Sequence, residues 1–261
     1  MNCINTKDLN ISYGNLDIVK DLNLDIPKGK ITTIIGSNGC GKSTILKTIA
    51  RIIQPKSGDI YINDKNIKEQ SPKELAKTMA VLPQSPQAPS GLTVEELIAY
   101  GRFPHQNGFG KLKKEDNDIV TWALKSTGIE EFRDRPIEAL SGGQRQRAWI
   151  AMALAQQTDI LILDEPTTYL DLAHQLEVLK LLEELNRKQG TTIVMVIHEL
   201  NNAARFADYM IGVKKGKIAC QGSAHEVMTK ENLKELFNID AEIVEDPRTQ
   251  KPVCITYDMV V

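Results

Sequence analysis

The chain has 261 residues, with Lys+Arg 32 against Asp+Glu 34 and a formal net charge of -2, so it carries no basic excess to neutralise the phosphates of a nucleic acid. Hydrophobic residues at 41% and charged residues at 25% exclude wholesale disorder and suffice for one large α/β domain or two small ones. No apolar run is long enough to cross a bilayer, and the opening Met1-Asn2-Cys3-Ile4-Asn5 lacks the apolar core of a signal peptide, which predicts a cytosolic chain.

In chain order, 4–13 and 16–26 read as two antiparallel strands about the turn Gly14-Asn15. Pro27-Lys28-Gly29 makes a second turn before the β-branched run 31–35. That run ends in glycines and gives way to 43–53 at helical spacing, a strand–loop–helix unit. Ser71, Pro72 and Glu74 mark one helix start, and Thr93 with Glu96 forms a capping box for another. Helical signals dominate from about 86 to 138, which predicts a helical insertion into an α/β core. The runs 160–163 and 192–197 are apolar throughout, as strands buried on both faces are. Between them 173–187 repeats Leu176, Leu179, Leu182 and Leu185 on one side, so strand and helix alternate as in a parallel sheet. From about 216 onward short strand and helix signals remain, with no chemistry attached. Cys3, Cys40, Cys220 and Cys254 lie far apart without a CxxC pair, and the histidines are equally scattered, against a disulfide framework or metal cluster.

Three segments carry chemistry. Gly36-Ser37-Asn38-Gly39-Cys40-Gly41-Lys42-Ser43-Thr44 fits GxxxxGK[ST] between a strand and a helix. Glycines there let the backbone wrap phosphates, Lys42 reaches the β/γ-phosphates, and Ser43 offers its hydroxyl to Mg²⁺. A glycine-rich turn beside a chance Lys-Ser pair is the plainer alternative, and the flanking strand and helix weigh against it. Asp164 and Glu165 end a buried strand, where parallel sheets bind ligands; Asp164 would hold Mg²⁺ and Glu165 would polarise an attacking water. By themselves they are better read as a strand end before Pro166, and it is the pairing with the phosphate loop that favours the functional reading. In Leu140-Ser141-Gly142-Gly143-Gln144, Ser141 caps the following helix, Gln144 closes the box, and two glycines leave amides bare at a positive helix end. Judged by those five residues alone, a plain helix cap remains open.

Together these segments resemble the nucleotide-binding subunit of ATP-binding cassette (ABC) transporters over nearly the whole chain, LSGGQ being the family's signature. The resemblance implies an α/β P-loop NTPase with a mixed sheet core, an N-terminal antiparallel β subdomain and a helical insertion. Residues 1–261 would form one ATPase domain: about 1–85 and 158–225 the catalytic core, about 86–157 the helical subdomain with the signature, and about 226–261 a C-terminal extension. Matched one position at a time, Tyr13 aligns with the residue that stacks on adenine, and Gln84 with the Q-loop glutamine that approaches Mg²⁺. Asp171 resembles the D-loop aspartate that touches the opposite subunit, and His198 the switch histidine that contacts the γ-phosphate. Glu199 departs from the family's frequent Asp.

The resemblance further implies ATP and Mg²⁺ as cofactors and two chains paired head to tail. It also implies an integral membrane permease as partner, a substrate-binding protein reached indirectly, and no nucleic acid. The chain would sit on the cytoplasmic face of the membrane. Gly101-Arg102-Phe103-Pro104-His105, Thr167-Thr168-Tyr169-Leu170-Asp171, His174-Gln175 and Glu245-Asp246-Pro247 resemble importer ATPases for ferric siderophores, haem and cobalamin, with siderophore uptake favoured. Arg102 and His105 imitate phosphate or metal ligands, but the resemblance puts them near the permease. A soluble ABC ATPase of the iron–sulfur assembly type is the alternative from another class.

Overall fold

The first element, Asn2–Tyr13, buries Ile4 and Thr6 beside Cys3, then changes phase at a left-handed Asp8 (φ 46) to bury Leu9 and Ile11. It pairs antiparallel with Leu16–Leu22, Asp25–Pro27 and Ser57–Ile62, and Lys65–Asn66 completes a five-stranded sheet. The single strand expected over 16–26 is broken at Asn23. Asp21 takes a left-handed conformation just before it (φ 49), and Thr6 bridges the gap. Its hydroxyl donates to Leu22 C=O at 2.9 Å and accepts from Leu24 N–H at 2.9 Å, standing in for ladder bonds at the kink.

The computed structural model describes residues 1–106 and 112–260, so the part of the expected insertion at 107–111 and the last residue of the chain lie outside the described residues. Two units are distinguishable, Met1–Gln70 with Asn186–Val261, and Ser71–Leu185.

Besides its antiparallel sheet, the first unit holds Ile31–Ile35 between two parallel neighbours, Thr192–Val196 and Tyr209–Lys214, and Lys217–Gly222 pairs antiparallel with the latter. Ile31–Ile35 and Thr192–Val196 are buried at every position, as strands covered on both faces must be. The helix expected over 43–53 is Lys42–Ile49. Arg51 takes a left-handed conformation (φ 58), and Ile52 N–H turns back to Lys47 C=O at 2.8 Å. The apolar spacing of Ile52 and Ile53 therefore belongs to the helix end rather than to another turn of it.

Helix Leu200–Phe206 follows the strand Thr192–Val196 and has Glu199 as its N-cap residue. Glu199 makes no side-chain cap bond; its carboxylate accepts instead from Asn202 Nδ2 at 3.4 Å. At the chain's end, Ile239–Glu245 and Pro252–Met259 form a hairpin. The Asn201 side-chain amide binds it, donating to Cys254 C=O at 3.0 Å and accepting from Cys254 N–H at 2.9 Å. Lys251 Nζ donates to Ala207 C=O at 2.9 Å, just past the other end of that helix.

In the second unit, Met79–Leu82 runs parallel to Ile160–Asp164. Helices Pro72–Thr78, Val94–Ala99 and Gly142–Ala155 each begin at a complete capping box, on Ser71, Thr93 and Ser141. Gly142–Ala155 buries Ala148, Trp149, Ile150 and Ala151 and packs on Val94–Ala99 and Lys114–Ser126. Arg102 is interior. Its side chain is 6% exposed, Nε meets Asp116 Oδ1 at 2.9 Å, and Nη1 donates to Ala155 C=O at 2.7 Å. His105 is likewise engaged, with Nε2 2.8 Å from Gln156 C=O.

Burial pushes the Asp116 carboxyl up, but Arg102 and the Lys113 N–H outweigh it and hold the group below its ordinary 3.8. A carboxyl depressed in the folded chain adds stability above its unfolded pKa and loses it as pH falls through the folded value. Arg102→Ala should therefore cost about 3–5 kcal/mol at neutral pH in urea titrations, because it strands a buried carboxylate. The difference from the parent should shrink as pH drops below 3.8. Glu199→Asp supplies a shorter cap, and should raise stability by about 0.5–1 kcal/mol. Calorimetry would read that as roughly 1–4 °C in Tm.

Candidate functional site

Strand Ile31–Ile35 delivers the chain to Gly36, whose backbone lies against strand Tyr209–Lys214. A Cβ at Gly36 would stand 2.2 Å from Val213 O and 2.8 Å from Cys40 Sγ, so the position admits glycine alone. Ser37, Asn38 and Gly39 are exposed, whereas Cys40 and Gly41 turn inward ahead of helix Lys42–Ile49. The first i→i−4 bond of that helix runs from Ile45 N–H to Gly41 C=O at 2.9 Å. The amides ahead of it lie at the positive end of the helix, where an anion is favoured.

Lys42 is only 5% exposed, and its ammonium donates to Gly36 O at 2.8 Å and Ser37 O at 3.1 Å. The lysine thus bridges the loop from within and draws its carbonyls inward. Phosphate oxygens are stronger partners for an ammonium than carbonyls are, so an arriving triphosphate competes well for it. The Cys40 thiol packs on Gly36 and lies 4.0 Å from Lys42 Nζ, which leaves Cys40 its backbone to offer a ligand. Also in the first unit, Tyr13 ends its strand with its side chain half exposed, open to a planar ring. His198 is exposed between Thr192–Val196 and Leu200–Phe206.

The second unit holds the carboxylates and both loops expected to face a partner. Asp164 closes the strand Ile160–Asp164 and is buried. Glu165 follows in the left-handed region at φ 54, a conformation costing a non-glycine residue about 1 kcal/mol. Two donors fix its carboxylate: Gln84 Nε2 and Thr168 Oγ1 both donate to Oε2, the latter at 3.0 Å. The structure therefore joins Gln84 to Glu165 directly. Thr168 is legible in the sequence only as a hydroxyl three residues after the acid.

At the signature turn, Gln144 N–H donates to Ser141 Oγ at 3.3 Å and Ser141 N–H donates to Gln144 Oε1 at 3.0 Å. Arg145 N–H to Ser141 C=O, at 2.9 Å, is the first bond of helix Gly142–Ala155, so the Gly142 and Gly143 amides precede its ladder. Asp171 precedes helix Leu172–Gln189 and accepts from the backbone N–H and the ring of His174, which hold its carboxyl below the usual range. Around it Tyr169 and Leu172 are 90% and 75% exposed, an apolar pair open to solvent beside a charge.

The family described as ABC transporter matches residues 19–168. The iron(3+)-hydroxamate import ATP-binding protein FhuC of Bacillus subtilis (strain 168) is 65% identical over 260 residues, covering 100% of this chain and 97% of that protein. The ferric enterobactin transport ATP-binding protein FepC of Escherichia coli (strain K12) is 43% identical over 249 residues, covering 95% and 92%. Among solved structures, the dimeric post-hydrolysis state of the ATP-binding cassette MJ0796 bound to ADP and Pi superposes with a TM-score of 0.74 at 30% identity, covering 84% of this chain and 98% of that one. Likeness along its whole length, joined to a phosphate loop, a capped signature turn and strand-end carboxylates, makes the chain a member of the ABC transporter family, an ATP-binding subunit whose ATPase is coupled to transport.

Proposed function

We propose that the chain powers uptake of a ferric siderophore or related iron chelate. It would work as a homodimer on the cytoplasmic face of a separate membrane permease, which in turn receives its load from a substrate-binding protein. The observation that carries this reading is 65% identity, end to end, with an iron(3+)-hydroxamate import ATP-binding protein. Among the described residues no helix is long and apolar enough to cross a membrane, and the reading assigns the pore to the permease.

The residues divide the work by chemistry. Tyr13 stacks on the adenine, residues 36–44 wrap the phosphates, and Lys42 exchanges its two carbonyl partners for phosphate oxygens. Ser43, Gln84 and Asp164 offer hydroxyl, amide and carboxylate oxygens, the hard donors that Mg²⁺ takes. Gln84 suits the role, since its nitrogen already serves Glu165 and its carbonyl oxygen is the remaining donor atom. Held by such oxygens, Mg²⁺ would supply positive charge for phosphoryl transfer.

Glu165, held by Gln84 and Thr168, takes the proton of the attacking water, and His198 steadies the γ-phosphate. The Ser141 turn, with Gly142, Gly143, Gln144 and Asp171, presents its amides to the nucleotide held by a second copy. The exposed Tyr169 and Leu172 support that pairing, because association would cover them.

Lys42→Ala should weaken ATP binding about 10- to 100-fold by calorimetric titration, the worth of a charge-assisted contact. Glu165→Gln should keep ATP affinity while turnover falls at least about 100-fold, and wild-type turnover would remove Glu165 from the base role. The transport role is tested in a strain lacking this gene and grown with a ferric hydroxamate as sole iron source. Growth should return with the wild-type chain, fail with Lys42→Ala, and go with recovery of a polytopic membrane protein by affinity capture. Capture of a soluble iron–sulfur scaffold in its place would overturn the transport reading.

A further inference from the structure

We propose that His174 is a positioning residue that locks the D-loop onto the signature turn, so that Asp171 and the amides of Gly142 and Gly143 meet a second copy as one preformed surface. The proposal rests on the two-copy reading above and adds a residue to it.

His174 lies in the first turn of helix Leu172–Gln189. Asp171 Oδ1 accepts from its backbone N–H at 2.9 Å and lies 2.8 Å from its ring Nδ1. An ionised carboxylate only accepts, so Nδ1 carries the proton and the ring orientation is set. The far edge of that ring lies on the signature turn. A Cβ at Gly143 would stand 2.5 Å from His174 Cδ2, 3.0 Å from Cγ and 3.2 Å from Nε2. Gly143 is part of a regular helix, so its backbone conformation does not demand glycine; the imidazole above it does.

A second contact flanks the first. Gln175 Nε2 donates to Leu170 C=O at 3.1 Å, and Leu170 Cδ2 lies 3.9 Å from where a Gly142 Cβ would be. Consecutive glycines at a helix start leave the backbone loose, each costing about 1 kcal/mol of helix stability relative to alanine. An aspartate-anchored ring pressed on that backbone removes the looseness before any partner arrives. Affinity gained this way comes from preorganisation rather than from a new contact. The His174 side chain is 44% exposed, so removing it opens no core cavity.

The test uses the full chain with Glu165→Gln, and ATP-driven dimerisation read by sedimentation. Adding His174→Ala should weaken dimerisation about 10-fold or more, while ATP affinity of the single chain stays unchanged. His174→Asn keeps a donor toward Asp171 and His174→Phe keeps a ring over Gly143, and each should recover part of the loss. In melting experiments Gly143→Ala should destabilise the parent, and the drop should vanish in the His174→Ala background. Undiminished dimerisation of His174→Ala, or an equal melting loss from Gly143→Ala with and without the imidazole, would overturn the proposal. A Glu165→Gln parent that stays monomeric with ATP would instead overturn the two-copy reading and the docking role of His174 with it. The Gly143 comparison would still decide whether the lock itself exists.

Discussion

An anion such as a triphosphate is favoured where N–H groups stand fixed before it arrives, and two helix starts of this chain are built in that way. One start is Lys42–Ile49, reached through a loop whose shape depends on a glycine pressed against Val213 and on a lysine bridging carbonyls from within. The other is Gly142–Ala155, whose cap is closed by Ser141 and Gln144. The rest of the fold keeps these two ends in shape. Strands buried on both faces give the phosphate loop an unyielding base, and helices packed on Gly142–Ala155 give the signature a fixed axis.

The carboxylate that would do chemistry is treated differently from those that hold structure. Asp116 is tied into the interior by a guanidinium, which is why its removal is expected to show as lost stability. Glu165 sits at the end of a buried strand in a costly backbone conformation, held by an amide and a hydroxyl. Gln84 acquires meaning from this contact. On the proposed reading, a glutamine that steadies Glu165 and would offer its oxygen to a metal would tie arrival of the nucleotide to readiness of the water-activating group.

Local signals were the legible ones. Ser71, Thr93 and Ser141 declare their helices because a capping box spans only four residues, and the phosphate-loop spacing declares its strand and helix because the glycines serve the backbone itself. What eluded the sequence depends on residues far apart in the chain. The hydroxyl that bridges the break at Asn23 belongs to Thr6, outside 16–26. Arg102 imitates a phosphate ligand in the sequence, and only the fold shows Asp116 and the Ala155 carbonyl closed around it. His174 reads as one letter of a family string until its ring is found over Gly143. The left-handed turn at Arg51 is invisible for another reason: the apolar spacing continues past the point where the backbone stops following it.

The central claim is that ATP lies between the phosphate loop of one copy and the signature turn of another. Ser37 and Ser141 are both exposed and mark those two surfaces. The most direct measurement mixes differently tagged Glu165→Gln chains, one set carrying Ser37→Cys and the other Ser141→Cys, each with the native cysteines replaced, and joins them with a short bis-maleimide. The account predicts a cross-link between the two tags that forms with ATP and Mg²⁺ and not without them. Cross-linking that is absent with nucleotide, or equally strong in its absence, would contradict it.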